Sequence, residues 1–584
     1  MPLCNGADRG YTPPERGQTS AMGLSWRENV KKSERGSAMK NYKVYASPHG
    51  EGDWHSIDWL KAQQAVKKLQ MRIAKATREG EHYRVKSLQR TLTRSFSAKA
   101  IAVKRVTENQ GKRTPGVDME TWSTPKAKAQ GIIALRRRGY TPSPLRRVLI
   151  PKSNGKMRPL GIPTMKDRAM QALHLMALEP VAETRADGNS YGFRQGRATA
   201  DAMEQGFNAL SRKKSPQWIL EGDIKACFDE ISHEWLLANV PMDKRMLKAW
   251  LKAGYVYQKK LFPTEAGTPQ GGIISPCLAN FTLDGLEKVL KEHFRNRKVN
   301  FIRYADDFVV TGESKEVLTE EVKPMIEDFL KVRGLELSQE KTKITHIDEG
   351  FTFLGWHFRK YSGKLIIKPA DWNIKNFLAK VRKVRKDNKS AKQENLIQLL
   401  NPIVRGWSNY HKPVCAKETF SKVDNEVWKI LWQWAKRRHP EKNYGWVKNH
   451  YFGKIGNQTG IFKINNLKLL MASDTKIQRH VKIKSDANPF DKKWEMYFEE
   501  RLFNKMKGTL RGSGERLTLW MKQNGKCLNC RTPMDLEKEE LNTHHILPLC
   551  EGGKDIISNL VLLHGNCHRQ VHNRKVNGIE AGCA

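Results

Sequence analysis

No apolar run in the 584-residue chain approaches the ~18 residues that cross a bilayer. The first residues, Met1 to Gly10, also lack the apolar core of a secretory signal. These two absences lead us to expect a soluble protein that is neither membrane-spanning nor secreted. Acidic residues are the next shortage, 61 Asp+Glu against 104 Lys+Arg, for a net charge of +43. An enzyme of small substrates has no use for that excess. Long nucleic acid does, because each neutralised phosphate releases counterions. An anionic membrane surface is the rival, but the cations are spread along the whole chain rather than gathered in one amphipathic segment. Cysteine is sparse, and nine is an odd number, which argues against a full disulfide framework. Cys227, Cys277 and Cys415 lie in apolar surroundings and read as buried small residues, whereas Cys527, Cys530 and Cys567 recur near histidines. Both groups fit a reducing compartment. There is no internal repeat. Hydrophobic content of 39% excludes wholesale disorder, and a chain this long should divide into several domains.

What is present begins with Tyr304-Ala305-Asp306-Asp307, set between the runs Val299–Arg303 and Phe308–Thr311. The pattern predicts strand, two-residue turn, strand, with adjacent carboxylates at a hairpin tip. Two neighbouring Asp repel each other, and folding alone gives no reason for them. A pair of divalent cations does, since hard cations take oxygen ligands and phosphoryl transfer uses two. A second carboxylate source lies upstream, where the apolar strand of Trp218-Ile219-Leu220 ends at Asp223 and Phe228 follows five residues later. Between them, Gly267-Thr268-Pro269-Gln270-Gly271-Gly272 is a turn-rich segment opening an apolar helix.

In this order the three pieces resemble motifs A, B and C of the reverse transcriptase palm. The stretch Leu145 to Gln171, with Ile150-Pro151-Lys152-Ser153-Asn154-Gly155-Lys156-Met157-Arg158-Pro159, looks like the fingers hairpin of group II intron reverse transcriptases. Ser190-Tyr191-Gly192-Phe193-Arg194 and Phe353-Leu354-Gly355-Trp356 look like later blocks of that family, and the resemblance covers roughly residues 54 to 520. It implies that Asp223, Asp306 and Asp307 serve a pair of Mg²⁺ ions, with the Ile224 carbonyl facing the nucleotide metal. Lys152 and Arg158 would close on the triphosphate, their charge offsetting that of the leaving pyrophosphate. Phe228 would lie under the sugar and exclude a 2′-hydroxyl. Its alternative is a core Phe behind the strand. Gln270 with Gly271-Gly272 would let backbone approach the template and the incoming base. Lys341 and Lys343 resemble a basic motif D.

Near the end, Cys527-x-x-Cys530 and His564-x-x-Cys567 have the pairing of a structural zinc site with four N/S ligands. They enclose Thr543-His544-His545, Gly552-Gly553 and Asn559, and Cys567-His568-x-x-x-His572 follows. This resembles the HNH, or ββα-metal, nuclease with an inserted zinc. By the resemblance His545 is the general base, and Asn559 holds the base's loop. His544, His568 and His572 would hold one divalent cation such as Mg²⁺ against the scissile phosphate. His568 and His572 are four apart and share a face if helical. His564 stands where a Cys is usual. It either closes the zinc site or joins the catalytic metal, leaving zinc three-coordinate.

The expected fold is multidomain α+β: a right-hand polymerase with fingers and an antiparallel palm, an α-helical thumb (domain X), and a small ββα-metal, zinc-containing nuclease. The expected boundaries are a flexible extension at 1–53, fingers and palm at 54–365, and thumb at 366–480. A basic DNA-binding region follows at 481–519, then the nuclease as a separate domain at 520–584. Helical stripes are read at Trp59/Val66/Leu69/Ile73, Ile374–Val384, Leu396–Tyr410 and Phe420–Trp434. The resemblance implies a group II intron-encoded RNA-directed DNA polymerase, splicing maturase and site-specific endonuclease. Its partners would be the intron RNA, target DNA, dNTPs, and an RNA template with a DNA primer, with no membrane. It would work in retrohoming by target-primed reverse transcription, in a prokaryotic cytoplasm near the nucleoid or in an organelle. The rivals are an RNA-binding splicing factor with vestigial catalysis and a reverse transcriptase recruited to defence.

Overall fold

The structure, a computed structural model, describes residues 54–576 except 152–154, 156, 296, 457, 511–513 and 537–538. The expected 1–53 extension and Lys152 lie outside the described residues. Three helices open the described chain, Trp59–Arg78, His82–Arg94 and Phe96–Glu108. Their starts follow from local chemistry. The Asp58 carboxylate accepts from Lys61 N at 3.0 Å, and Ser95 Oγ accepts from Ala98 N at 3.2 Å. Trp59, Ala62, Val66 and Ile73 form the buried stripe of the first helix, which packs on the long helix Met165–Arg185.

The palm is a four-stranded sheet in the order Asn300–Tyr304, Asp307–Gly312, Trp218–Asp223, Lys343–His346, with every pair antiparallel. Alternation along its strands divides the molecule into two cores. Leu220, Phe301, Phe308 and Val310 point into one, which runs through the N-terminal helices. Ile219, Ile302 and Val309 point into the other, shared with the helices Asp371–Asp387, Gln393–His411 and Lys417–Arg438. Side chains a residue apart face opposite sides of a strand, so apolar runs rather than alternating ones mark a sheet covered on both faces. A register slip of one residue would exchange the two cores.

The fingers sheet runs Met157–Ile162, Leu145–Pro151, Tyr255–Tyr257, Lys260–Phe262. Behind the palm, the strands Phe351–Phe353, Trp356–Tyr361 and Lys364–Pro369 form a third sheet. It is joined to the thumb helices by Tyr410, whose hydroxyl donates to Leu354 O at 2.7 Å and whose ring stacks on Trp356 at 4.6 Å. The last element set is the hairpin of Leu541–His545 with Leu560–His564, followed by the helix Gly565–Val576. This is the expected ββα arrangement. Among the described residues, no helix is long and apolar enough to cross a membrane.

The segment that reads as basic and patternless, 481–519, contains the helix Glu495–Thr509 and folds back on the palm. Asp201 collects His480 Nε2 at 2.8 Å, Ile483 N at 2.7 Å and Arg501 Nη2 at 2.5 Å. Arg78 pairs with Asp491 at 2.6 Å, tying the same strap to the first helix. Cys227 is buried as expected, but Cys415 is exposed. Its neighbours Val414 and Ala416 take the buried positions instead, so an apolar context in sequence misassigned it.

Candidate functional site

The palm sheet places the carboxylates by register. Asp223, last in its strand, lies directly across from Asp307, first in the next. Tyr304 pairs with Asp307 across the hairpin, which leaves Ala305 and Asp306 as the two-residue turn, with Ala305 at φ +59°. Two Asp from paired strands and one from the hairpin turn therefore meet at one sheet end. Burial pushes the Asp307 carboxyl up to about 6, and the charges of Asp306 and Asp223 push the same way. Burial also raises Asp306, against which the charges of Arg158 and Lys341 act. Arg158, on the fingers strand paired with Ile150, thus reaches the carboxylates electrostatically. Lys341 is closer still, its Nζ donating to Asp223 Oδ2 at 2.8 Å. Lys343 sits on the neighbouring strand opposite Glu221, away from that contact.

The surrounding backbone is held by specific contacts. Ser338 N donates to Asp223 O at 2.8 Å, and Ile224, buried, bridges to Leu337. Phe228 is half-buried and meets Phe193 edge-on at 6.2 Å. Gln270 O accepts from Gly161 N at 2.7 Å, fixing the glycine-rich turn to the fingers. Gly271 sits at φ +115°, where a Cβ would meet Gly161 O at 2.6 Å, so both its conformation and its closeness to the fingers require glycine. Gln171 Oε1 accepts from Ile273 N at 2.9 Å and holds the turn from the other side.

Arg303 is the residue supporting the site that pattern reading passes over. It is fully buried, and its guanidinium donates to Ala305 O at 3.1 Å, to Asn280 Oδ1 at 3.1 Å and to Asp284 Oδ1 at 2.5 Å. Asn280 in turn donates to Gly192 O at 2.8 Å, and Gly192 lies so close to the turn that a Cβ there would be 2.2 Å from Ala305 N. The block Ser190–Arg194 is therefore a wall behind the Asp306 turn. The available signal was a lone cation inside an apolar strand, which must be paired to be buried.

In the last domain, Cys527, Cys530, His564 and Cys567 are all buried, with one ligand atom each within 4.8 Å of the others. His564 Nδ1 lies 3.2 Å from Cys530 Sγ, and its Nε2 stands 2.7 Å from the Glu539 carboxylate. Hydrogen bonds with Cys530 and Cys567 push the Cys527 thiol down toward thiolate. His564 thus faces the thiols and is separate from a second cluster, His544, His568 and His572, also within 4.8 Å. His545 stands outside both clusters, with Nε2 3.1 Å from Asp555 Oδ1. Asn559 accepts from Leu547 N and donates to the carbonyls of Leu547 and Lys554, all at 2.9 Å, which closes the loop after His545.

The family model for reverse transcriptase (RNA-dependent DNA polymerase) matches residues 150–358, and that for the N-terminal domain of reverse transcriptase matches 54–135. The group II intron maturase-specific domain matches 374–452, and HNH endonuclease matches 527–574. Protein YkfC of Escherichia coli is 32% identical over 337 residues, covering 50% of this chain and 87% of that protein. The group II intron-encoded protein LtrA of Lactococcus lactis is 29% identical over 414 residues, covering 53% of this chain and 68% of that protein. A solved telomerase from Candida tropicalis shares 13% identity over 54% of this chain and 59% of its own, at a TM-score of 0.34, too low to bear on function.

Proposed function

The chain belongs to the group II intron-encoded proteins, with reverse transcriptase, maturase and HNH endonuclease domains, and on that premise we propose that its two sites act in succession in retrohoming. In this reading the protein stays with its intron RNA, the nuclease nicks the DNA strand opposite the inserted RNA, and the palm extends the new 3′-hydroxyl along that RNA. The observation that carries it is the register that sets Asp223 against Asp307 beside Asp306.

The donor sets fit the metals proposed for them. Three carboxylates at one partly buried sheet end, where burial first and the neighbouring charges second hold Asp307 up to about 6, call for a compensating multivalent cation with oxygen affinity. When bound, a Mg²⁺ pair would supply the charge that lowers the pKa of the primer hydroxyl and steadies the leaving phosphate. Arg158 would grip the triphosphate, with Lys152 as its proposed companion. Lys341, hydrogen-bonded to Asp223, would add positive charge beside the phosphates. The Ile224 carbonyl and Gln270 would frame the nucleotide, while Phe228 excludes a 2′-hydroxyl.

In the nuclease, three thiols and one imidazole suit zinc, which would supply structure and no chemistry. The cluster of His544, His568 and His572 suits a single divalent ion, which would polarise the scissile phosphate. With Nε2 of His545 held by Asp555, Nδ1 is the atom left to take the proton from water. Asn559 keeps that loop in place.

The test is a target-primed assay with the protein bound to its intron transcript and a DNA duplex containing the insertion site. We expect cDNA covalently joined to the nicked strand. His545→Ala should abolish the nick and the joined product while extension of an annealed primer persists. Joined cDNA without a nick would overturn the sequence of steps.

A further inference from the structure

The helix Tyr444–Tyr451 presents aromatic rings to solvent among cations. Asn443 caps it, accepting from Trp446 N at 2.8 Å, and Val447 and Tyr451 anchor it inward. The remaining side chains are left outside, with Tyr444 57% and Trp446 37% exposed. Trp446 and His450, four apart, stack at 4.6 Å with planes 9° from parallel. Tyr444 is backed by Trp432 at 4.5 Å, itself stacked on Trp428 at 5.4 Å, so a tier of half-buried rings stands behind the exposed one.

Cations border these rings. Lys442 Nζ stands 5.5 Å from the Trp446 centroid and Lys448 Nζ 5.8 Å from that of Tyr444. The preceding helix ends in Lys436, Arg437 and Arg438. From 436 to 450 only Glu441 opposes these five basic residues. A merely solvated helix face would need charges but not a Trp and a Tyr beside them.

We propose that this face, Tyr444, Trp446 and His450 with Lys442 and Lys448, is a stacking platform for unpaired bases of RNA. An aromatic ring offers one face to a base of any sequence, and an adjacent cation meets its phosphate. The lysine ammoniums sit where a base would enter. They hang on flexible stems, so a base displaces them toward the backbone without losing their charge. Paired bases hide their faces, so a duplex gains only the electrostatic part. RNA is the occupant favoured, because the platform lies in the segment that matches the maturase-specific domain. The proposal therefore rests on the RNA-binding reading above and adds where and how unpaired RNA is gripped.

The experiment uses the full chain and an unstructured RNA of about 12 nucleotides carrying 4-thiouridine, within the site size such surfaces occupy. Irradiation should crosslink it to the peptide 443–450. The single-stranded DNA of the same sequence and the RNA duplex are parallel arms. Tyr444→Ala and Trp446→Ala should each weaken binding of the unpaired RNA by about tenfold. Trp446→Phe should keep most of it, and unchanged melting temperatures would show that the variants fold. Lys442→Gln with Lys448→Gln should lower the salt slope of binding by about 1.4. Crosslinks only elsewhere, or equal losses for duplex and unpaired RNA, would overturn the platform. Tighter crosslinking of the DNA strand would assign it to DNA instead. Primer extension by the wild-type protein tests the polymerase reading by itself, so failure of one leaves the other standing.

Discussion

Arg303 occupies a site where an unpaired charge would be intolerable, and its guanidinium ties the Asp306 turn, through Ala305 O, to Asn280 and Asp284. Replacing it with Met would leave Asp284 buried without its cation. Breaking a buried pair from one side costs about 3–5 kcal/mol, so Arg303→Met should show that order of loss in denaturant unfolding, with cDNA synthesis falling further than stability. A variant as stable as wild type would show that Asp284 finds another partner. Asp307 can be tested more directly. Asp307→Asn keeps the shape but removes the charge, and cDNA synthesis should drop by more than about a hundredfold, the scale of losing one preorganised electrostatic group. RNA splicing assistance should survive, since it needs the surface and not the carboxylates. Phe228 is half-buried, a placement that suits a sugar-contacting ring. Phe228→Ala should raise ribonucleotide over deoxynucleotide incorporation, and an unchanged ratio of kcat/KM values would make it a packing residue.

The elements differ in how much of them sequence alone can show. The hairpin Asn300–Gly312 is legible because a strand's apolar run breaks at a two-residue turn, and the thumb helices are legible because apolar residues recur at helical spacing. Both signals are local. The strap through His480, Ile483 and Arg501 is not, since it is defined by contacts with Asp201, 279 to 300 positions away. Local patterning is silent about such pairings. The same applies to the wall of Ser190–Arg194, visible as a motif but not as the neighbour of Ala305. Gly192→Ala tests that wall. Its methyl cannot fit 2.2 Å from Ala305 N, so either the turn or the wall must shift, at about 1–3 kcal/mol for overpacking. Primer extension should fall while the thumb's fold, read by its tryptophan fluorescence, is unchanged. Normal extension would mean the turn tolerates displacement.

At the scale of the whole molecule, the nuclease segment is docked on the polymerase rather than hung from it. Asn566 Oδ1 accepts from Trp54 Nε1 at 3.0 Å, and Gln570 Nε2 donates to the carbonyls of His55 and Ile57 at 3.0 and 3.1 Å. Lys104, on a polymerase helix, stands 3.9 Å from Glu539, the residue that holds His564. Leu541, Leu562 and Cys567 share one hydrophobic core with Trp54, Trp59 and Val103. With zinc held as proposed, a domain this small would depend on its metal, and here its loss would also uncover part of the polymerase. Cys527→Ser should therefore release zinc and expose the chain after Gly514 to limited proteolysis. It should also speed amide exchange in the helix Phe96–Glu108, which a purely tethered nuclease would leave untouched. His545→Ala, by contrast, should stop second-strand nicking with zinc content and exchange unchanged, because His545 lies outside both candidate metal-binding clusters. If Cys527→Ser lost zinc while the Phe96–Glu108 amides stayed as protected as in the wild type, the shared core would contribute nothing to the polymerase, and the two active sites would be joined by chain alone.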